Sequence, residues 1–162
     1  MAWYAARVFY NRTAPLVKRF SEEGLRYYLP PREVINSLLF VDADEGYVDR
    51  LSQEYFGKMM FYGSRESHRP TVIPEHEMHI FMIVTSSGEK GLLYLGDDKP
   101  EYHQGERVRV AAGPFKGIEG YVRRIKKDRR VVVSLHGIVA VATTYIHPDM
   151  LERVEDKEEH RC

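Results

Sequence analysis

Two histidines three residues apart come nearest to a chemically active arrangement in this sequence. His76 and His79 lie in the segment Glu-His-Glu-Met-His, residues 75–79. Residues at that spacing share one face of a helix. A zinc-protease helix instead carries its histidines four residues apart, and a zinc site needs a third protein ligand that is not evident here. We therefore expect a polar helix face and no metal site.

Nucleophiles and carboxylates are also present, but their surroundings do not favour catalysis. Ser86 and Ser87 precede a glycine, as in a segment that ends a helix. Asp97 and Asp98 lie in a polar, turn-rich segment, where adjacent carboxylates normally stay solvated. The only cysteine, Cys162, has no neighbour that would activate its thiol. We expect no enzyme, no catalytic residue and no cofactor.

Positive charge is concentrated in the segment Arg-Arg-Ile-Lys-Lys-Asp-Arg-Arg, residues 123–130, which forms the turn of a predicted hairpin. Its cations are Arg123, Arg124, Lys126, Lys127, Arg129 and Arg130. Such a cluster favours contact with nucleic acid or an acidic protein surface, and the alternative is a solvated turn. No interleaved aromatic residue or recognition helix accompanies the charges, so we expect no base-specific readout.

The composition is that of a globular protein. The sequence has 162 residues, of which 43% are hydrophobic and 30% charged. No run of 18 apolar residues is present, which excludes a membrane-spanning helix. The opening residues lack the basic flank and apolar run of a secretory signal, and one cysteine allows no internal disulfide. We therefore expect a cytoplasmic protein with no membrane contact.

The first part of the chain predicts an α+β domain with a largely antiparallel sheet and flanking helices, residues 1–95. The predicted segments are strand AWYAARVFY, helix NRTAPLVKRFSEEG, strand LRYYLPP, strand SLLFVDAD, helix EGYVDRLSQEYFG, strand KMMFYG and helix IPEHEMHIFMIVTSSG. Asn11 or Thr13 can cap the first helix, and Gly24 can end it. The apolar run of SLLFVDAD favours a central strand covered on both faces. A polar, turn-rich stretch then predicts a linker at residues 96–104.

Beyond the linker the hydrophobic pattern changes to strict alternation. Val108, Val110 and Ala112 alternate with other residues until a turn at Gly113–Gly117, and further short strands follow. Five short strands in about 50 residues favour a small all-β barrel, because closure removes exposed strand edges. We place this barrel at residues 105–155, followed by a charged tail at residues 156–162.

The stretch GERVRVAAGPFKGIEGYVRRI, residues 105–125, resembles the KOW motif of the NusG family of transcription factors. In that motif a glycine-rich turn joins the first two strands of an SH3-like barrel, and Gly117 and Gly120 would allow close strand approach. WYAARV near the N-terminus resembles the family's entry strand, and RPTVIPEHEMHIFM resembles the segment leading into its last N-terminal helix. The resemblance covers nearly the whole chain in the family's order.

The resemblance implies a factor that binds RNA polymerase and suppresses pausing or termination without catalysis. An apolar depression would contact the clamp helices of the polymerase, and non-template DNA or nascent RNA would be further contacts. On this sequence the depression would include Phe9, Ile35, Leu38 and Phe81. The alternative is that these side chains belong to the core, since core and interface use the same residue types. The barrel would present the Lys116 turn and the basic hairpin to a second partner, or pack against the first domain.

Departures from the family pattern indicate a divergent paralogue. The segment Val34–Leu38 lacks the proline and aromatic residues of the family, and Arg7 stands where the paralogue RfaH has an aromatic residue. His136 replaces the family's phenylalanine, which argues against a ribosomal protein or Rho as the barrel partner. The shortened motif resembles the UpxY group, which implies a role at long polysaccharide operons. A ribosome-associated KOW protein that binds RNA is the alternative function.

Overall fold

The structure, a computed structural model, describes residues 1–63, 68–135 and 137–154. The chain divides into two compact units, Met1–Met78 and His79–Cys162. Its first elements are β1 (Ala2–Val8), α1 (Thr13–Glu22), β2 (Arg26–Tyr28), β3 (Leu38–Ala43), α2 (Glu45–Glu54), β4 (Met59–Phe61) and α3 (Glu75–Thr85). The predicted order of strands and helices in this part of the chain is therefore confirmed.

The first unit contains a four-stranded antiparallel sheet in the order β2-β3-β1-β4. β3 is an inner strand, and its pairing with β1 runs from Ala2 opposite Ala43 to Arg7 opposite Leu38. All six residues of β3 are buried. Because successive side chains of a strand point to opposite faces, β3 is covered on both faces, as its apolar run predicts.

One face of this sheet packs against α1 and α2. The buried cluster consists of Tyr4, Ala6, Val8, Leu16, Phe20, Leu39, Val41, Ala43, Val48, Leu51 and Met59. The spacing of Leu16 and Phe20 on α1, and of Val48 and Leu51 on α2, places each pair on one side of its helix. The core of the first unit therefore lies between the helices and the sheet.

Gly24 ends α1 as predicted, whereas the predicted capping of the helix start is wrong. Gly24 has φ +70°, and the N–H of the next residue, Leu25, donates to the Phe20 carbonyl oxygen at 2.9 Å. This is the left-handed glycine termination that satisfies the last helical carbonyls. At the other end Arg12 is the N-cap residue, and no side chain caps the helix there.

The second unit contains a six-stranded antiparallel sheet. Its elements are β5 (Leu93–Asp97), a 3-10 helix (Pro100–His103), β6 (Arg107–Val110), β7 (Glu119–Ile125), β8 (Asp128–Leu135), β9 (Val139–Tyr145), a 3-10 helix (Pro148–Met150) and β10 (Leu151–Arg153). The strand order is β10-β6-β7-β8-β9-β5. Among the described residues β10 and β5 are the two edges and do not pair, so the expected closed barrel of five strands is not observed.

The strand that precedes the expected barrel was not predicted, and it ends inside the predicted linker. β5 pairs with β9 from Leu93 opposite Ala142 to Asp97 opposite Val139. Leu93 and Leu95 pack on the buried cluster of β8 and β9, and this apolar contact outweighs the glycines and aspartates around them. Part of residues 96–104 is therefore strand and 3-10 helix. The predicted limits of the domains remain a prediction.

Two glycines of the KOW-like motif serve different ends. Gly120 lies on β7, and a Cβ there would overlap the Val132 carbonyl oxygen on β8, so close strand approach requires glycine. Gly117 has φ +94° and open space around a Cβ. Glycine is therefore favoured at residue 117 by the backbone conformation, which strains any other residue, and not by lack of space. The expected close approach thus holds for Gly120 alone.

Candidate binding surfaces

The edge strand β4 of the first unit exposes apolar side chains. Its three residues alternate: Met59 is buried in the helix-covered core, Met60 is 52% exposed, and Phe61 packs partly against the core. Met60 lies opposite Arg7 in the register with β1. Among the described strands, β4 pairs only with β1, so it is an edge strand of the sheet. The strand therefore turns one apolar residue outwards.

Phe9 and Phe56 lie beside Met60, and we call these three residues the β4 surface. Phe56 follows the end of α2 and is 88% exposed, while Phe9 is 37% exposed. The Phe9 N–H donates to the Lys58 carbonyl oxygen at 2.8 Å, which fixes Phe9 next to the chain leading into β4. The three side chains border a concave region of about 780 Å³. Apolar surface of this kind favours contact with another protein.

Three of the four predicted polymerase-contact residues are buried. Ile35, Leu38 and Phe81 expose at most 2% of their surface, and only Phe9 is exposed. Leu38 begins the inner strand β3, and the Ile35 N–H donates to the Pro31 carbonyl oxygen at 3.0 Å. The burial favours the core alternative for these three residues. A role for the four in binding remains a prediction.

Sequence reasoning missed Phe56 and Met60 for identifiable reasons. α2 ends at Glu54, so helical periodicity does not apply to Phe56. In β4 both phases of the alternation are apolar, with Met59 on one face and Met60 on the other. The pattern therefore cannot tell which residue faces the core. No signal in a single sequence separates these exposed residues from core residues of the same type.

The basic segment forms a tight hairpin between β7 and β8. Ile125 pairs with Asp128, which leaves Lys126 and Lys127 as a two-residue turn. Both lysines have positive φ, +53° and +74°. Positive φ at both central positions is the type I′ arrangement, which normally selects asparagine and glycine. The turn therefore carries two exposed lysines in a backbone conformation that lysine disfavours.

Two of the six cations of the hairpin are held by the protein itself. Arg123 donates to the Glu101 carbonyl oxygen at 2.9 Å and to its carboxylate at 3.2 Å, and its guanidinium lies over the Tyr102 ring. Arg130 donates to the carbonyl oxygens of Gly91 at 2.8 Å and Thr143 at 3.2 Å. These two arginines anchor the hairpin to neighbouring elements of the second unit.

The other four cations are unpaired within the described part of the chain. Arg124, Lys126, Lys127 and Arg129 are exposed and form no ion pair or side-chain hydrogen bond with the described residues. We call these four residues the hairpin tip. Arg124 lies directly opposite Arg129 in the strand register. Like charges at that position repel each other across the two strands.

Lys116, which was predicted to act with the hairpin, lies elsewhere. It is exposed in the turn between β6 and β7, where its N–H donates to the Gly113 carbonyl oxygen at 3.1 Å. The hairpin tip is at the opposite end of β7. Seven residues of strand span about 20 Å, so Lys116 and the tip are not one surface. The structure joins the hairpin residues and separates Lys116 from them.

The two arginines of β6, Arg107 and Arg109, are also paired. Arg109 donates to the Glu119 carboxylate through Nε at 3.0 Å and through Nη2 at 2.6 Å, and Arg107 reaches the same carboxylate at 3.3 Å. The hydrogen bond to Glu119 raises the pKa of Arg109. These two arginines therefore fix β6 to β7, and the unpaired positive charge of this region lies at the hairpin tip.

A histidine, a carboxylate and a hydroxyl meet in the second unit without forming a catalytic relay. His103 Nε2 lies 2.9 Å from both Asp98 carboxylate oxygens and 3.3 Å from Ser134 Oγ. A relay needs the carboxylate on one ring nitrogen and the hydroxyl on the other. Asp98 also accepts the Gly137 N–H at 3.0 Å. The group thus ties the 3-10 helix to the connection between β8 and β9.

The remaining predicted residues form no site in the described ranges. His76 and His79 are exposed on α3, and no group of three His, Cys, Asp or Glu in residues 1–63, 68–135 and 137–154 could hold a metal ion. Within the same ranges no helix is long and apolar enough to cross a membrane. His136 and the tail from residue 155 onwards, which includes Cys162, lie outside the described residues.

An exposed apolar surface and an unpaired basic tip are features of proteins that bind other macromolecules. The chain is 30% identical over 86 residues to a curated relative, the transcription termination/antitermination protein NusG of Borreliella burgdorferi. The match covers 50% of this chain and 45% of the relative, so the chain matches less than half of that protein's length. The resemblance to the NusG family is thus confirmed at the level of sequence similarity. No protein-family model matches the chain.

Two solved structures, one of a NusG and one of an Spt4:Spt5 complex, align with most of the chain. A structure of Thermotoga maritima NusG, 17% identical, has a TM-score of 0.49 and covers 95% of this chain and 97% of its own. The MjSpt4:Spt5 complex in conformation B, also 17% identical, has a TM-score of 0.36 with the same coverage. At these TM-scores the likeness carries no argument about function.

Proposed function

We propose that this chain is a non-catalytic, cytoplasmic transcription elongation or antitermination factor that binds RNA polymerase and suppresses pausing or termination. The observation that carries the proposal is the 30% identity to NusG over 86 residues. The sequence motifs that resemble the NusG family support the same proposal, and they occur in the family's order along the chain. The exposed apolar surface of the first unit supplies a binding surface that such a factor requires.

The polymerase contact is proposed at the β4 surface, against the clamp helices. Phe9, Phe56 and Met60 already stand in solvent, so they can be transferred into an interface without unfolding any part of the chain. Ile35 and Leu38 could contact a partner only after a change that exposes them. Among the residues predicted from the sequence, Phe9 is therefore the one we retain for the contact.

The second unit is proposed to be a divergent KOW domain of the SH3-like barrel type. Its β6–β7 turn with Lys116, and separately its basic hairpin, would face a second partner. The family contact to a ribosomal protein or Rho is not proposed, since histidine stands at residue 136. The resemblance of the Val34–Leu38 segment to the UpxY group supports a role at long polysaccharide operons.

The test is retention of the full chain on purified core RNA polymerase. The variant Phe56→Ser with Met60→Ser removes two exposed apolar side chains, and we expect retention to fall at least about tenfold. Leu29→Ser with Val72→Ser is the matched control, because both residues are exposed but do not line the concave region. Circular dichroism and thermal unfolding check that each variant remains folded.

Three outcomes decide between the parts of the proposal. Failure of the unaltered chain to bind polymerase, alone or in a transcribing complex, would reject the function. Equal losses in the test and control pairs would reject the β4 surface as the contact. Loss of binding in a folded Ile35→Asp variant, with the Phe56 and Met60 variant unaffected, would return the contact to the buried residues.

A second candidate function is favoured by the unpaired hairpin tip. A ribosome-associated KOW protein that binds RNA would use such charges on ribosomal RNA. Co-sedimentation of the full chain with purified ribosomes, together with no retention on polymerase, would support that alternative. Retention on polymerase with no ribosome binding would exclude it.

A further inference from the structure

We propose that the hairpin tip, Arg124, Lys126, Lys127 and Arg129, binds the phosphate backbone of nucleic acid without reading its base sequence. The proposal concerns the second unit alone and does not depend on contact between the first unit and RNA polymerase. It divides the six cations of the hairpin by what they contact, which the sequence could not do.

The division follows from the hydrogen bonds of the hairpin. Arg123 donates to Glu101, and Arg130 donates to the carbonyl oxygens of Gly91 and Thr143. Arg123 and Arg130 also lie near the carboxylates of Glu101 and Asp128, at 3.2 and 3.8 Å, so their charge is partly neutralised and their position is fixed. The four tip residues have no such partners in the described part of the chain. The two inner arginines therefore hold the hairpin in place while the tip presents four charges to solvent.

The tip is locally unfavourable in the absence of a partner. Arg124 and Arg129 face each other across the strands, and Lys126 and Lys127 both adopt the left-handed backbone region. A turn with no role beyond connection would be better formed by Asn-Gly between oppositely charged residues. A bound polyanion relieves the repulsion between the four charges. Local strain of this kind is concentrated at functional sites.

Nucleic acid fits the tip better than an acidic protein does. The residues that dominate protein interfaces are enriched in Trp, Tyr and Arg, and the tip supplies arginine and lysine but no aromatic side chain. The exposed Tyr145 lies opposite Arg130, on the sheet face of the anchored arginines, whereas Arg124 and Arg129 share the other face. Without an aromatic platform at the tip, binding would rest on phosphate charge and be independent of sequence.

The experiment is fluorescence anisotropy with the full chain and labelled oligonucleotides, with no polymerase present. Single-stranded RNA, single-stranded DNA and duplex DNA of one sequence distinguish the source of the phosphates, and a scrambled sequence should bind equally. With four phosphate contacts, the slope of log affinity against log salt should be about −2.8 for single strands and about −3.6 for duplex DNA.

Matched variants separate the tip from overall charge. Replacing all four tip residues by Gln should weaken binding at least about tenfold at moderate salt and flatten the salt slope. Replacing Lys18, Lys58, Lys90 and Lys99 by Gln changes the net charge equally at exposed positions elsewhere and should leave most of the affinity. Thermal unfolding of both variants confirms that they are folded.

Other results would overturn the proposal. No binding of any oligonucleotide by the unaltered chain at low salt would reject it outright. Equal weakening by the two sets of substitutions would show that only net charge matters. Competition by polyglutamate as effective as that by nucleic acid, compared at equal charge, would assign the tip to an acidic protein surface instead.

Discussion

The β4 surface and the hairpin tip differ in what their exposure costs the free protein. At the β4 surface, Phe56 and Met60 leave apolar area in water, which the hydrophobic effect opposes. At the hairpin tip, Arg124 and Arg129 are well solvated but repel each other. An apolar partner would remove the apolar area of the β4 surface from water, and a polyanion would reduce the repulsion at the hairpin tip. Two binding modes with different salt dependence can therefore exist on one chain of 162 residues.

The largest expected effect separates the exposed apolar surface from the core beneath it. Leu38→Ala removes a fully buried side chain and should lower the free energy of unfolding by about 2–5 kcal/mol. Phe56→Ala removes a larger but exposed side chain and should change it by no more than about 0.5 kcal/mol. Urea unfolding followed by circular dichroism measures both values.

Other stability changes in these two variants would contradict the distinction between the exposed surface and the core. If Phe56→Ala destabilised the chain as much as Leu38→Ala, Phe56 would be a core residue and the β4 surface would not be available to a partner. A small effect of Leu38→Ala would reopen the predicted role of Leu38 in binding, because the side chain would then contribute little to packing.

Much of the first unit could be predicted from the sequence because local and tertiary requirements agree there. The apolar run of β3 is buried on both faces, and Gly24 takes the left-handed conformation that ends α1. Local preference and tertiary packing disagreed where apolar residues lie next to residues that favour turns. No strand was predicted at Leu93 and Leu95, yet they belong to β5, because packing against β8 and β9 outweighs local preference.

The candidate surfaces were harder to predict than the fold. Ile35 and Phe56 are both apolar, and only the three-dimensional structure shows that one is buried and the other exposed. The charge of the hairpin was visible in the sequence. The division of its cations into anchored and unpaired residues was not, because the hydrogen-bond partners of Arg123 and Arg130 lie between 13 and 39 residues away along the chain.

The next largest expected effect is a difference in salt dependence between nucleic-acid binding and polymerase binding. Between about 50 and about 200 mM salt, four phosphate contacts predict a fall in affinity of about 50-fold for single strands and about 150-fold for duplex DNA. Polymerase binding through Phe9, Phe56 and Met60 should change by less than about threefold, because apolar contacts carry no charge for salt to screen. Parallel titrations of the full chain against both partners make the comparison.

Equal salt dependence for the two partners would remove the distinction between the surfaces. A steep fall for polymerase would indicate that cations, and not the β4 surface, dominate that contact. A flat response for nucleic acid would indicate that few phosphates are neutralised, and the hairpin tip would then lose its proposed role.

The smallest expected effect tests whether the hairpin turn sacrifices stability for charge. Replacing Lys126 by Asn and Lys127 by Gly keeps the two-residue turn but supplies residues that tolerate positive φ. The free energy of unfolding should rise by about 1–2 kcal/mol, since each of the two strained lysines costs on the order of 1 kcal/mol. Nucleic-acid affinity should fall at the same time, because two of the four tip charges are lost.

Lys126→Gln with Lys127→Gln removes the same charges without relieving the backbone, so it should lower affinity equally and leave stability nearly unchanged. A gain in stability with full retention of affinity would show that Lys126 and Lys127 do not contribute to nucleic-acid binding, and the turn would then be a solvated connection between β7 and β8.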